Sequence, residues 1–296
     1  MFRNFEEIVQ AAKMKCPRRA CVVFPEDRDI LRSLTDGMKE GLIEPVIIGR
    51  QDQIKDLARK EKISIEGIGI LHEGDLEKAS EISIEMVRRG EVSFVVKGNI
   101  LTTYLYKSLL RVLKKYFSDE IACTFCFHQI YGVEKIFLIT DSGVNIHPDL
   151  GMKRKILRSG VRMMNQLGWE RPRVMILASP RMMGECSSYK EDASELRRLS
   201  LEGELGECEV LESNDFWEFF SDRERGSEEF PDIFLVPNIE TGNILVKSID
   251  HLGMGIRQCV TVGGGIFLLT PSRSDGYETR MLNLSLGVVL SSSGEG

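Results

Sequence analysis

The chain predicts an α/β fold with a largely parallel sheet, and two observations carry that expectation. Short apolar runs rich in β-branched residues recur at 20–24, 45–48, 92–96, 136–139, 174–177, 233–236 and 266–269. Longer segments with helical spacing lie between them. The runs are too short and too uniformly apolar for half-exposed strands and suit strands covered on both faces. Strand alternating with helix implies parallel pairing.

Taken in order, the opening MFRNFEEIVQAAKMKCPRR reads as a short amphipathic helix, acidic early and basic late, without the apolar centre of an export signal. The strand at 20–24 runs into Pro25-Glu26-Asp27. Residues 75–89 form a helix with Leu76, Ala79, Ile82 and Met86 on one side. The strand at 92–96 meets Lys97-Gly98-Asn99, with Thr102 beyond. Residues 121–127 read as a buried strand, so Cys123, Cys126 and His128 are set aside as half a metal site lacking its second ligand pair. The strand at 136–139 leads into Thr140-Asp141-Ser142-Gly143-Val144-Asn145, and the one at 174–177 into Ala178-Ser179-Pro180-Arg181. The charged stretch 221–232 reads as a solvated loop. The strand at 233–236 enters Pro237-Asn238-Ile239-Glu240-Thr241-Gly242-Asn243, with Lys247 a turn later. Gly263-Gly264-Gly265 precedes a strand instead of following one, so it is a turn and not a dinucleotide loop. The last strand, 266–269, opens into Thr270-Pro271-Ser272-Arg273-Ser274-Asp275, and 279–290 is a helix suited to core or dimer contact.

Composition narrows the function. A net charge of -6 without a Lys/Arg stripe excludes an extended nucleic-acid interface. No apolar run approaches the about 18 residues of a membrane span. Seven cysteines, scattered along the chain, fit reduced thiols and a cytoplasmic setting. No G-x-x-x-x-G-K-[ST] loop is present, which argues against nucleotide phosphoryl transfer.

In open α/β sheets ligands bind beyond the carboxyl ends of the strands. Five of the junctions above are polar there, at residues 25–27, 97–102, 140–145, 237–243 and 270–275. Helix capping accounts for any one of them taken alone. Together they suit phosphate, because unpaired amides at a helix start hold an anion without a basic protein. Arg273 adds a planar fork and Ser272 a hydroxyl.

These residues resemble the phosphate acetyl/butyryltransferase family, and more closely its phosphate butyryltransferase branch. The similar segments are the Phe24-Pro25-Glu26-Asp27 junction, VVKGNILT, LITDSGVNIHPDLGMK, LVPNIETGNILVKS and SRSDGYETRMLNLSLG, in the family's order along almost the whole chain. The resemblance implies a two-domain fold like that of the isocitrate and isopropylmalate dehydrogenases, with mostly parallel sheets and an interdomain cleft. One domain would join 1–131 to 270–296 and the other would span 132–269. It implies reversible transfer of a short acyl group, butyryl or branched, between coenzyme A and inorganic phosphate, in a homodimer or higher homo-oligomer. No metal or other cofactor is implied, coenzyme A being a substrate.

By the family's pattern Ser272 and Arg273 bind the phosphate or acyl phosphate, with Arg273 offsetting transition-state charge. Lys97, Thr102, Asn145, Asn238 and Asn243 are phosphate or carbonyl donors. Glu240 pairs with a cation or accepts a substrate hydrogen bond. Gly98, His128, Asp141, Gly242, Lys247 and Asp275 complete the expected substrate-binding set, His128 as a structural or cleft-lining residue. The thiol base is unassigned, because Thr279 stands where the acetyltransferase branch has an Asp; Asp275 and Glu278 are weak substitutes. Residues 178–181 and Leu211-Glu212-Ser213-Asn214 also depart from the pattern, as do Phe267 and Pro271. Two other readings stay open: a non-catalytic or diverged paralogue that binds coenzyme A and phosphate, and acetyl as the acyl group. A dehydrogenase would need an Asp cluster for a divalent metal, which these motifs do not assemble.

Overall fold

The computed structural model describes residues 1–177, 187–212 and 229–292. Its elements run α1 (Phe5–Lys13), β1 (Arg18–Val23), α2 (Arg28–Lys39), β2 (Ile43–Gly49), α3 (Gln51–Glu61), β3 (Gly69–His72), α4 (Leu76–Arg88), β4 (Phe94–Lys97), α5 (Thr102–Tyr116), β5 (Cys123–Gln129), β6 (Phe137–Thr140), α6 (Leu150–Gln166), β7 (Arg173–Ile176), α7 (Ser187–Leu201), β8 (Glu209–Val210), β9 (Ile233–Leu235), α8 (Ile239–His251), β10 (Ile256–Gly263), β11 (Ile266–Leu269) and α9 (Tyr277–Ser292). The chain divides into a terminal unit, Glu6–Ala122 with Gln258–Gly296, and a middle unit, Cys123–Arg257 with Met1–Phe5.

In the terminal unit the strand order is β3-β2-β1-β4-β11-β10. All neighbours are parallel except β10 and β11. The last four residues of β1 and all four of β4 are buried, which accounts for their unbroken apolar sequence. The antiparallel pair is a hairpin whose turn residues Gly264 and Gly265 have φ of 57° and 77°. Two successive positive φ values are the mark of the tight hairpin turn that favours glycine, so the Gly-rich stretch is a turn, as its position predicts.

In the middle unit the order is β5-β6-β9-β7-β8, with β5 antiparallel to β6 and the rest parallel. Buried Asp232 ties the starts of three of these strands together. It accepts from Lys135 Nζ at 2.7 Å, from Trp169 Nε1 at 3.0 Å and from the backbone N of Arg173 at 2.7 Å. A buried carboxylate is tolerated when every lone pair facing the interior has such a donor.

Each apolar run named above forms a strand. The edge strands β3 and β8 and the longer β10 have no comparable apolar run, because edge strands need not be apolar on both faces and β10 carries Arg257, Gln258 and Thr261. In α4 the buried residues are Ala79, Ser80, Ser83 and Ile84; of the side formed by Leu76, Ala79, Ile82 and Met86, Ala79 is buried and the other three are half-buried. The serines can face inward because Ser80 Oγ donates to Leu76 O and Ser83 Oγ to Ser80 O. The units divide at 5/6, 122/123 and 257/258, and the boundaries that the resemblance implies are 131/132 and 269/270.

Cys16, Cys21 and Cys208 carry free thiols. Cys126 and Cys259 are disulfide-bonded, a departure from the reduced set expected. Most of the expected loop at 221–232, and the departures at 178–181, Ser213 and Asn214, lie outside the described residues. Among the described residues no helix is long and apolar enough to cross a membrane.

Candidate active site

The ends of β1, β4 and β11 lie side by side because β4 pairs with both neighbours, Val96 standing opposite Val22 and Leu269. This register brings the residues after Val23, Val96 and Leu269 to one place. The ladder continues past the strands: Gly98 N donates to Val23 O at 2.9 Å and Asn99 N to Phe24 O at 2.6 Å. A Cβ on Gly98 would lie 2.2 Å from Phe24 O and 2.3 Å from Val23 O, so only glycine permits this approach. Phe24 itself takes φ 53°, the left-handed region rarely used by a bulky side chain.

Lys97 is buried, with 4% exposure. Its Nζ donates to Pro271 O at 3.2 Å and, more weakly, to Gly98 O at 3.5 Å, and it has no ion pair among the described residues. Burial pushes its pKa down to about 8, the charges of Arg280 and Arg273 push the same way, and Asp275 opposes them.

The loop carrying Ser272 and Arg273 is fixed from within. Ser272 N donates to Asp275 Oδ2 at 2.7 Å, and Asp275 N to Ser272 O at 3.3 Å. From α9 the buried Arg280 donates through Nε to Asp275 O at 2.9 Å and through its terminal nitrogen to Ser272 O at 3.3 Å. Ser272 is thereby held half-buried and Arg273 exposed. The Asp275 carboxylate, expected in the substrate-binding set, closes its own loop. Sequence reasoning missed Arg280, although it lies within the SRSDGYETR segment; a basic residue on the first turns of a helix has many uses and did not stand out. Thr102 is half-buried as the first residue of α5, whose N-cap Leu101 offers no side-chain acceptor.

Not every polar junction is available to a ligand. Asp27 caps α2, accepting from the amides of Asp29 and Ile30, and Glu26 pairs with Arg50 at 3.2 Å.

In the middle unit Asp141 organises the junction after β6. Its Oδ1 accepts from the amides of Thr124 at 3.1 Å, Gly143 at 2.9 Å and Val144 at 3.2 Å. Its Oδ2 accepts from the backbone N and the Nδ2 of Asn145, at 3.0 and 2.5 Å. Burial raises the carboxyl pKa against the pull of these donors. Asp141, expected in the substrate-binding set, anchors the loop that carries Asn145.

The β9–α8 junction joins this loop: Val236 N donates to Thr140 O at 2.8 Å and Ile239 N to Ile146 O at 3.0 Å. Asn238 caps α8 through Thr241 N at 2.9 Å. A Cβ on Gly242 would meet Asp141 O at 2.9 Å and Ser142 Cα at 3.0 Å, so glycine lets α8 close on the loop. Glu240, Asn243 and Lys247 stand exposed on α8, and Glu240 has no ion pair among the described residues.

His128 is fully buried, stacked on Phe137 with centroids 5.4 Å apart. Its Nδ1 lies 3.0 Å from Cys126 O and its Nε2 3.8 Å from Asp250 Oδ1. Burial pushes its pKa down to about 3, and the Arg257 charge adds to the effect. The structure therefore gives the ring a packing role. Among the described residues no cluster of His, Cys, Asp and Glu could hold a metal ion.

Residues 73–205 match the family model described as phosphate acetyl/butaryl transferase. A phosphate butyryltransferase from Clostridium acetobutylicum is 25% identical over 301 residues, covering 98% of this chain and 99% of the relative. A phosphate acetyltransferase from Rickettsia felis is 23% identical over 292 residues, covering 96% of this chain and 84% of the relative. Among solved structures, a branched-chain phosphotransacylase from Enterococcus faecalis superposes with a TM-score of 0.74 at 19% identity, over 93% of this chain and 99% of the other.

Proposed function

We propose that this chain, a relative of the phosphate butyryl- and acetyltransferases, reversibly transfers a short acyl group, butyryl or branched, between coenzyme A and inorganic phosphate. The observation that carries the reading is the Ser272–Asp275 loop, fixed by Asp275 and Arg280 beside a buried lysine. An exposed guanidinium on a rigid loop, with a neighbouring hydroxyl, can take the phosphoryl end of an acyl phosphate bidentately. Fixed donors matter because charge develops on the carbonyl oxygen as the thiolate adds, and donors already in place need no reorganisation at that moment.

Arg273 holds the phosphate and offsets the transition-state charge, and Ser272 donates to it. Asn145 presents its amide from the loop that Asp141 fixes. Two features favour butyryl over acetyl: the Clostridium relative, similar over nearly the full length of both chains, and Thr279 at the position where the acetyltransferase branch has its Asp. The reading takes coenzyme A as substrate with no metal or other cofactor, and places the chain in the cytoplasm as a homo-oligomer.

The test is release of free thiol from a panel of acetyl- to hexanoyl-CoA esters, with and without phosphate. The reading expects phosphate-dependent release, greatest for four- or five-carbon chains, and its loss in Arg273→Ala. Coenzyme A binding without turnover of any ester would favour the diverged paralogue instead, which the departures at 178–181 and 211–214 motivate.

A further inference from the structure

We propose that Lys97 is the general base that takes the proton from the coenzyme A thiol, an assignment that rests on the acyl-transfer reading. The other groups near Ser272 are unsuited to the task. Thr279 has no basic group, and Glu278 is exposed on the first turn of α9. The Asp275 carboxylate is held by Ser272 N at 2.7 Å. Lys97 differs from them in three ways. It is buried, it forms no ion pair among the described residues, and its partners are two neutral carbonyls, Pro271 O at 3.2 Å and Gly98 O at 3.5 Å.

A buried ammonium without a counter-charge is costly, which favours the neutral amine. That amine has two N–H groups, which the two carbonyls can accept, and a lone pair left over for a proton. The charged groups facing it are Arg273, Arg280 and Asp275, cations outnumbering the anion. Its pKa of about 8 is in the range where a base works near neutral pH. Pro271, which accepts from Nζ, directly precedes the Ser272-Arg273 pair, so the amine borders the proposed phosphate site.

In the acyl-CoA-forming direction the thiol proton moves to Nζ while the sulfur bonds to the carbonyl carbon. The tetrahedral intermediate then collapses, breaking the bond from carbon to the phosphate oxygen. Nζ returns the proton to that oxygen, so hydrogen phosphate leaves and the neutral amine is restored. The reverse direction uses the same two transfers.

The test measures acyl-CoA formation from butyryl phosphate by wild type, Lys97→Met and Lys97→Arg across pH 6.5 to 10, with coenzyme A and with its selenol analogue. General-base catalysis contributes about 100- to 10,000-fold. Both variants should lose at least about 100-fold in kcat/KM with coenzyme A at pH 7.5. The deficit should narrow above about pH 9, where a thiol of pKa about 8.5 ionises unaided. With the selenol, already ionised at neutral pH, Lys97→Met should lose less than about tenfold. The arginine variant keeps the charge but cannot accept a proton, so arginine turnover within about threefold of wild type would overturn the assignment. An equal loss with thiol and selenol would overturn it too. Absence of turnover in wild type would instead overturn the acyl-transfer reading itself.

Discussion

Asp141 and Asn145 are joined twice through one oxygen: Asp141 Oδ2 accepts from the backbone N of Asn145 at 3.0 Å and from its Nδ2 at 2.5 Å. With three further amides on Oδ1, the carboxylate faces donors only. A carboxylate can meet such a set because it is acceptor-only when ionised.

Asp141→Asn turns one of those oxygens into a donor and sets N–H against N–H. Each buried group left unsatisfied costs about 1–3 kcal/mol. The variant should lose about 2–4 kcal/mol in urea unfolding, and turnover should fall with it because the Asn145 loop loosens. Unchanged stability with a raised KM alone would instead mean a direct substrate contact.

The two close-approach glycines should respond differently to alanine. In Gly98→Ala the new Cβ would overlap two backbone carbonyls, at 2.2 and 2.3 Å, so the ends of β1 and β4 must part. That breaks the last ladder bonds, and a loss of about 3 kcal/mol or more is expected. In Gly242→Ala the contacts are 2.9 to 3.0 Å, and alanine gains about 1 kcal/mol of helix propensity. Stability should change by less than about 2 kcal/mol while turnover falls, because the loop bearing Asn145 shifts. Thermal melts and thiol-release rates on both variants separate the two cases.

Residues 97–102 and 270–275 of the terminal unit, and 140–145 and 237–243 of the middle unit, stand out in the sequence as candidate segments because polar residues that follow an apolar run lie at the carboxyl ends of the strands. Individual roles were less legible. Asp141, Asp275 and Asn238 look like ligand residues in sequence, yet each satisfies amides of its own loop or helix. Local capping and ligand binding draw on the same short polar side chains, so residue type cannot separate them. His128 was ambiguous for a related reason, since only packing shows its ring stacked against Phe137. Arg280 was invisible because its importance comes from carbonyls eight and five residues earlier that the loop turns back toward it.

His128 should make the chain acid-sensitive. In the unfolded chain its pKa is near 6.5, and burial lowers it to about 3 in the fold. Between those values the unfolded state binds the additional proton, so stability falls as pH drops from about 6.5 toward 3. The slope from this one residue is about 1.4 kcal/mol per pH unit. Unfolding free energies between pH 7 and 4.5 should fall less steeply in His128→Phe, by about that slope. Parallel curves would show that the ring is protonated in the folded state.

Lys97 should set stability against activity. Its pKa falls from 10.5 in the unfolded chain to about 8 in the fold. The folded state therefore binds fewer protons between those values, and stability rises with pH across that window. Below about pH 8 the full penalty of the buried ammonium is present, at most about 3 kcal/mol. Lys97→Met removes the charge and keeps an unbranched side chain that fills the space. At pH 7 the variant should unfold at higher urea than wild type, by about 1–3 kcal/mol, and the advantage should shrink toward pH 10. A variant less stable than wild type at pH 7 would mean that the hydrogen bonds to Pro271 and Gly98 outweigh the burial of the charge.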